Sequence, residues 1–221
     1  MGRSSDTATT LLLIRHGESA AAVDGISFPL VGGYSDPELA PQGHRHAAAV
    51  AERLGNARIT AVYVTPLQRT AQTAAPLAAR LGVDPHVEDG LREVYMGEWE
   101  GHVLRRYVAQ RHPVALRMRS EQRWDVVPGA ESMTNLHERL RAGLGRIVAA
   151  HPGECVAVVS HGGVIATLLS LASGAEPFAF EAVANGSISE LVISGPIWTV
   201  QRFNDTAHLE RNSSGGPDSE R

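Results

Sequence analysis

Three short stretches of this chain each place a cation or an imidazole just after an apolar run. The first is Arg15-His16-Gly17, which follows Leu11-Leu12-Leu13-Ile14. The second is Arg69, a few residues beyond Ala61-Val62-Tyr63-Val64. The third is His161-Gly162, which comes after Cys155-Val156-Ala157-Val158-Val159 and Ser160. Arginine offers a planar, permanently charged fork suited to phosphate or carboxylate. Histidine can act as base, nucleophile or metal ligand. A glycine beside them lets a backbone or a substrate come close, because it has no Cβ. One Arg-His pair alone reads as two solvated side chains at a strand end. Three such placements in one chain read as a site.

The elements that must position these residues follow from the pattern of the chain. Each apolar run is too short for a helix and is bounded at once by polar residues, which predicts buried strands over 10–14, 61–64 and 155–159. In open α/β sheets ligands bind at the carboxyl ends of strands, where all three stretches fall. Pro41 suits the first position of a helix, and the spacing of Ala47, Val50, Ala51 and Leu54 carries that helix over 41–54. Pro66 opens a second helix that stops at Gly82 and puts Arg69 in its first turn, on a strand neighbouring that of Arg15. The helix dipole disfavours a cation there unless an anion offsets it. A third helix starts at Val164, so His161 and the Gly162 amide lie at a helix N-terminus, a ready anion site.

Residues 20–41 carry Gly32-Gly33, Asp36-Pro37 and Pro41 and read as a long loop. A loop of that length suits a wall of the site, with Phe28, Leu30 and Tyr34 as apolar contacts. A short strand near 83–87, helices over 99–111, 114–124 and 133–150, and a hairpin of 188–193 with 198–203 complete the reading. The expected fold is a three-layer α/β/α sandwich, a mainly parallel sheet with helices on both faces and room for one antiparallel strand.

Leu13-Ile14-Arg15-His16-Gly17-Glu18-Ser19 resembles the signature of the histidine phosphatase superfamily, the phosphoglycerate-mutase-like enzymes. The likeness extends from the first strand to about Leu209. Thr65-Pro66-Leu67-Gln68-Arg69-Thr70-Ala71-Gln72-Thr73-Ala74 matches the family pattern Ser/Thr-Pro-Leu-x-Arg-x-x-Gln-Thr-Ala, whose arginine binds the phosphoryl group. The segment from Leu91 to Gly101 matches Leu-x-Glu-x-x-x-Gly-x-Trp-Glu-Gly, and the resemblance assigns the acid/base role to Glu93. Glu98 and Glu100 are read as helix-start residues near Trp99. His161 matches the second histidine of the family. Gly129-Ala130-Glu131-Ser132 differs from the family's Gly-Glu-Ser turn by one inserted alanine.

Two arginines, two histidines and helix-terminal amides that converge form an electropositive pocket whose natural occupant is a phosphate dianion. The chemistry this implies is phosphomonoester hydrolysis through a phosphohistidine. The arginines disfavour a protonated His16 and keep one ring nitrogen free to attack phosphorus. The expected catalytic set is His16, Glu93, Arg15, Arg69 and His161. Arg15, Gly17, Arg69, His161 and Gly162 are expected to hold the phosphate. Glu93 protonates the leaving alkoxide and then deprotonates the incoming water, with an optimum on the acidic side, as in an acid phosphatase. No metal or other cofactor is expected, since the arginines supply the positive charge.

Two departures from the mutase pattern favour a phosphatase: Ala22 stands where mutases carry asparagine, and the segment after Glu93 is short, with Arg105-Arg106 too early for the mutase arginine pair. Phosphoglycerate mutase-type transfer is the alternative, followed by an inactive module that binds phosphorylated ligands.

Composition sets the outer bounds. The 221 residues are 43% hydrophobic and 20% charged, ordinary for one globular domain, expected over 10–209 between flexible tails at 1–9 and 210–221. A formal charge of −4 argues against a nucleic-acid surface. The polar start and the short first apolar run offer neither a signal peptide nor a membrane span, so the cytoplasm is the expected location. The single cysteine, Cys155, excludes an internal disulfide. The expected partner is a small phosphorylated substrate, with no nucleic acid or membrane and with a homodimer left open.

Overall fold

The computed structural model describes residues 8–23 and 26–210. The chain opens with β1 (Thr9–Arg15), then the small ribbon β2 (Leu30–Val31) and β3 (Tyr34–Ser35), helix α1 (Pro41–Leu54), β4 (Ile59–Val64), α2 (Gln68–Leu81) and β5 (His86–Val87). It continues through α3 (Val103–Ala109), α4 (Pro113–Glu121), α5 (Met133–Ala150), β6 (Cys155–Ser160), α6 (Gly162–Ser173), β7 (Ile188–Ser194), β8 (Ile197–Asp205) and α7 (Ala207–Glu210). Residues 1–7 and 211–221 of the expected tails lie outside the described residues. Thr9 and Glu210 do not belong to tails: Thr9 is fully buried in β1, and Glu210 closes α7.

Six strands form one sheet in the order β5-β4-β6-β1-β7-β8. β5, β4, β6 and β1 pair in parallel, whereas β7 is antiparallel to both of its neighbours. The unbroken apolar run of β1 has a simple cause, since a strand covered on both faces needs apolar side chains at every position. Leu11 and Leu13 enter one core with Leu136, Leu140 and Leu144 of α5 and Val164 and Ile165 of α6. Leu12 and Ile14 enter the other, with Val50 and Leu54 of α1 and Ala74 and Leu77 of α2. Each such side chain contributes about 1.5–3 kcal/mol on burial. The two cores are the two interfaces of an α/β/α sandwich, as the sequence predicts.

The register puts the three chemical stretches side by side. Arg15 pairs with Ser160 across β1 and β6, and the His16 amide donates to the Ser160 carbonyl at 3.0 Å. The strands of Arg15 and Arg69 are not neighbours, however, because β6 lies between β1 and β4. Helix α2 starts at Gln68, two residues after Pro66, and Arg69 still falls in its first turn.

Gly17 and Gly43 let the first motif lie against α1. A Cβ on Gly17 would meet the Gly43 Cα and carbonyl carbon at 2.9 Å, and one on Gly43 would meet the Glu18 amide at 3.0 Å. The segment 183–187 clasps the motif from the other side. Asn185 Nδ2 donates to the His16 carbonyl at 2.9 Å and the Gly186 amide donates to the Arg15 carbonyl at 3.0 Å.

Candidate active site

Arg69 stands at the centre of the cluster, nine-tenths buried among acceptors. Its Nε donates to His16 Nε2 at 3.2 Å, its Nη2 to His161 Nδ1 at 3.2 Å, and its Nη1 to the Ser35 carbonyl at 2.9 Å. A guanidinium can only donate, so both imidazole nitrogens that face it carry lone pairs. That fixes both tautomers. The His16 proton sits on Nδ1, which donates to the Gly17 carbonyl at 2.7 Å. The His161 proton sits on Nε2, which donates to Thr65 Oγ1 at 2.9 Å. The two rings meet edge to face with centroids 5.3 Å apart.

His161 is fully buried. Burial first, then the charge of Arg69 and, less, of Arg15 and Arg139, pushes its pKa well below the ordinary histidine value. This ring is therefore neutral at pH 7.

The walls come from the long loop and from the Glu93 segment. His16, Arg15, Arg69 and Glu93 line a cavity of about 190 Å³ together with Phe28 and Tyr34 of the loop and Trp99. Glu93 Oε1 accepts from the Val94 amide at 2.9 Å and lies against the start of α6, where a Cβ on Gly163 would come within 2.8 Å of it. Gly162 begins α6 beside the Arg15 guanidinium, which a Cβ there would approach to 3.2 Å. Arg15 Nη1 donates to the Val183 carbonyl.

The structure brings together Arg15, His16, Arg69, Glu93, His161 and Gly162. Gly17 is different: its amide donates to Thr73 Oγ1 at 2.9 Å, and its carbonyl accepts from His16 and from Asn185. Its place is in the backbone that orients His16. Of the loop residues expected to line the site, Phe28 and Tyr34 do so, and Leu30 is 56% exposed.

Glu100 is not a helix-start residue either. Its backbone is non-helical, and its carboxylate accepts from the Ser35 amide at 2.8 Å, the Ser35 hydroxyl and the Met96 amide at 3.0 Å. It staples the loop to the Glu93 segment. Glu98 and Glu18 are exposed.

Three supports have contacts that the sequence does not show. Ser35 accepts from Arg69, and the Thr65 hydroxyl accepts the Nε2 proton of His161. Asp36 Oδ1 accepts from the Gln68 amide at 2.8 Å and lies 3.8 Å from Arg69 Nη1. It supplies the first turn of α2 with the cap that Leu67 cannot offer.

Fold and site together define an α/β protein with a cationic pocket at the carboxyl ends of adjacent parallel strands. The sequence model of the histidine phosphatase superfamily (branch 1) matches residues 11–206, and the chain belongs to that superfamily. It is 35% identical over 207 residues to phosphoglycerate mutase-like protein 4 of Arabidopsis thaliana, covering 90% of this chain and 86% of that one. It is 29% identical over 208 residues to a metal-independent phosphoserine phosphatase of Arabidopsis thaliana, covering 91% and 83%. The native structure of a mycobacterial glucosyl-3-phosphoglycerate phosphatase superposes with a TM-score of 0.76 at 27% identity, over 90% of this chain and all of that one. The protein is thus an enzyme, a phosphatase or a mutase. Among the described residues no helix is long and apolar enough to cross a membrane.

Proposed function

We propose that the protein hydrolyses phosphomonoesters without a metal, by transfer of the phosphoryl group to His16 Nε2 and from there to water. The observation that carries this reading is the single tautomer of His16. Its Nδ1 proton is held by the Gly17 carbonyl, and its Nε2 lone pair faces the most buried cation of the site. A nucleophile needs that lone pair free and oriented.

In the first step a bond forms between Nε2 and phosphorus while the bond from phosphorus to the ester oxygen breaks. The phosphoryl oxygens replace the imidazole nitrogens as acceptors from Arg69, and Arg15 adds a second positive charge. Glu93, protonated, gives its proton to the departing alkoxide. In the second step Glu93, now ionised, takes a proton from the water that attacks the phosphohistidine, and His16 leaves with its lone pair restored. The kinship with an enzyme named a metal-independent phosphoserine phosphatase supports the absence of a metal.

The mutase reading draws on the phosphoglycerate mutase-like relative. It needs the phosphoryl group to return to a second hydroxyl, and the methyl of Ala22 offers no hydrogen bond where the mutase pattern has asparagine.

A panel of phosphate esters, with and without chelator, tests the proposal by the fate of phosphorus. The reading expects stoichiometric release of inorganic phosphate, unaffected by chelator. Return of phosphorus to a hydroxyl of the substrate, with little phosphate released, would establish a mutase. Glu93 is tested on the same panel. Glu93→Gln should slow alkyl esters far more than p-nitrophenyl phosphate, whose leaving group departs without a proton, when phosphorylation of His16 limits the rate. Equal, small effects on both esters remove Glu93 from the acid role.

A further inference from the structure

The Glu93 carboxylate is positioned mainly through its backbone. Between residues 90 and 95, five of the six carbonyls are held from outside the segment. Arg139 of α5 takes three: its Nη1 donates to the Gly90 carbonyl at 2.8 Å and the Arg92 carbonyl at 2.7 Å, and its Nη2 to the Glu93 carbonyl at 2.9 Å. Ser160 Oγ, at the end of β6, donates to the Leu91 carbonyl at 2.9 Å. The Glu131 amide donates to the Tyr95 carbonyl at 2.9 Å.

Arg139 is in turn fixed by Glu131. Its Nε and Nη2 donate to the two carboxylate oxygens at 2.6 and 2.8 Å, a paired fork with both side chains largely buried. Such bidentate pairs hold geometry as well as energy, and lysine, a point charge, cannot reproduce them. Glu131 belongs to the Gly-Ala-Glu-Ser turn that precedes α5, so the turn and the helix grip the Glu93 segment from both sides.

From this geometry we infer that Arg139, oriented by Glu131, is the positioning residue for the acid/base carboxylate of Glu93. The inference rests on the reading of Glu93 as the proton donor. A general acid must come within hydrogen-bond reach of the leaving oxygen. A displacement of about 1 Å in a reacting group costs roughly 10²-fold in rate. Arg139 uses its N–H groups on three main-chain carbonyls spaced over four residues, so its loss releases the strand of chain that carries the carboxylate. The phosphate pocket around Arg69 and His16 has its own supports in Ser35, Gly17 and Thr65 and stays in place.

The experiment compares Arg139→Lys, Glu131→Gln and Glu93→Gln on an alkyl phosphate and on p-nitrophenyl phosphate, with inorganic phosphate as inhibitor. Arg139→Lys should lower kcat/KM for the alkyl ester, which reports phosphorylation of His16, by roughly 10–100-fold, the scale of a misplaced catalytic group. It should change p-nitrophenyl phosphate turnover far less and leave inhibition by phosphate unaltered. Placed in the Glu93→Gln background, Arg139→Lys should cost little more, because the group it positions is already gone. If Arg139→Lys does not fold, Glu131→Gln carries the same comparison, since it keeps the arginine and loses the ionic fork.

A loss that is equal on both esters, or that adds in full to the Glu93→Gln loss, overturns the positioning role while Glu93 keeps its own. If Glu93→Gln itself spares alkyl esters, the acid lies elsewhere and the role of Arg139 falls with it.

Discussion

Arg69→Ala is the perturbation that reaches furthest into this site. The wild-type guanidinium donates to His16, His161 and Ser35 from a position only 6% exposed. Bound phosphate would take over the two donors now spent on imidazole nitrogens. Removing one preorganised charge donor from a water-poor site lowers the rate by roughly 10²–10³-fold, about 2.7–4 kcal/mol of transition-state stabilisation. Arg69→Ala should therefore lower kcat/KM by at least that factor. Arg69→Lys should recover only part of it, because a point charge cannot serve two acceptors in a fixed plane. Folding should persist, since Asp36 keeps the Gln68 amide as its partner. A second readout is independent of turnover. After burial, Arg69 is the largest influence that depresses the His161 pKa, so that pKa should rise in Arg69→Ala, as followed by histidine NMR titration. Kinetics within threefold of wild type, or an unmoved His161, would refute the placement of Arg69 at the centre.

Two further outcomes follow from titrating groups. His161 Nδ1 accepts from Arg69 through its lone pair, and an anion oxygen can accept only from an N–H, so an anion seated against this ring should draw a proton onto it. Calorimetry with sulfate, whose own charge does not change, should show proton uptake through buffer-dependent enthalpies at pH 7.5, lost in His161→Asn; heats that are independent of buffer contradict this. At Glu88, burial pushes the carboxyl up, but the Arg146 guanidinium and the Gly90 amide outweigh it and hold the pKa below 4.5. A depressed carboxyl pKa gives stability that is complete above the unfolded value and is lost as pH falls through the folded one. Glu88→Gln should thus lower Tm at pH 7, and the gap to wild type should narrow as the pH falls through the acid range; a gap that stays constant down to acid pH would contradict the linkage.

Local signals in the sequence carry the elements well and their mutual contacts poorly. Helices α1 and α5 run over 41–54 and 133–150, as Pro41 and Ser132 announce, and the Ser132 hydroxyl accepts from the Asn135 amide at 3.1 Å. Gly32 and Gly33 both have positive φ, 58° and 88°, which a two-residue hairpin turn between β2 and β3 requires. β1 is longer than its apolar run because the ladder with β6 extends from Thr10 to Arg15, and pairing sets its ends. The motif histidines and arginines are legible because each follows a strand.

Asp36, Glu100 and Arg139 are not legible. Each acts on a partner 32 to 65 residues away in the chain, and no spacing rule joins a loop carboxylate to a distant helix start. Gly17 is legible as a close approach, and only the fold shows that α1, through Gly43, is what approaches.

Brief mixing with a labelled phosphate ester followed by denaturing quench looks directly for a covalent phosphoryl group on His16. Label should appear on the protein, be lost in acid and retained in base, map to the peptide containing His16, and be absent together with turnover in His16→Ala. Label that survives in His16→Ala, or hydrolysis by that variant at a rate near wild type, would contradict it.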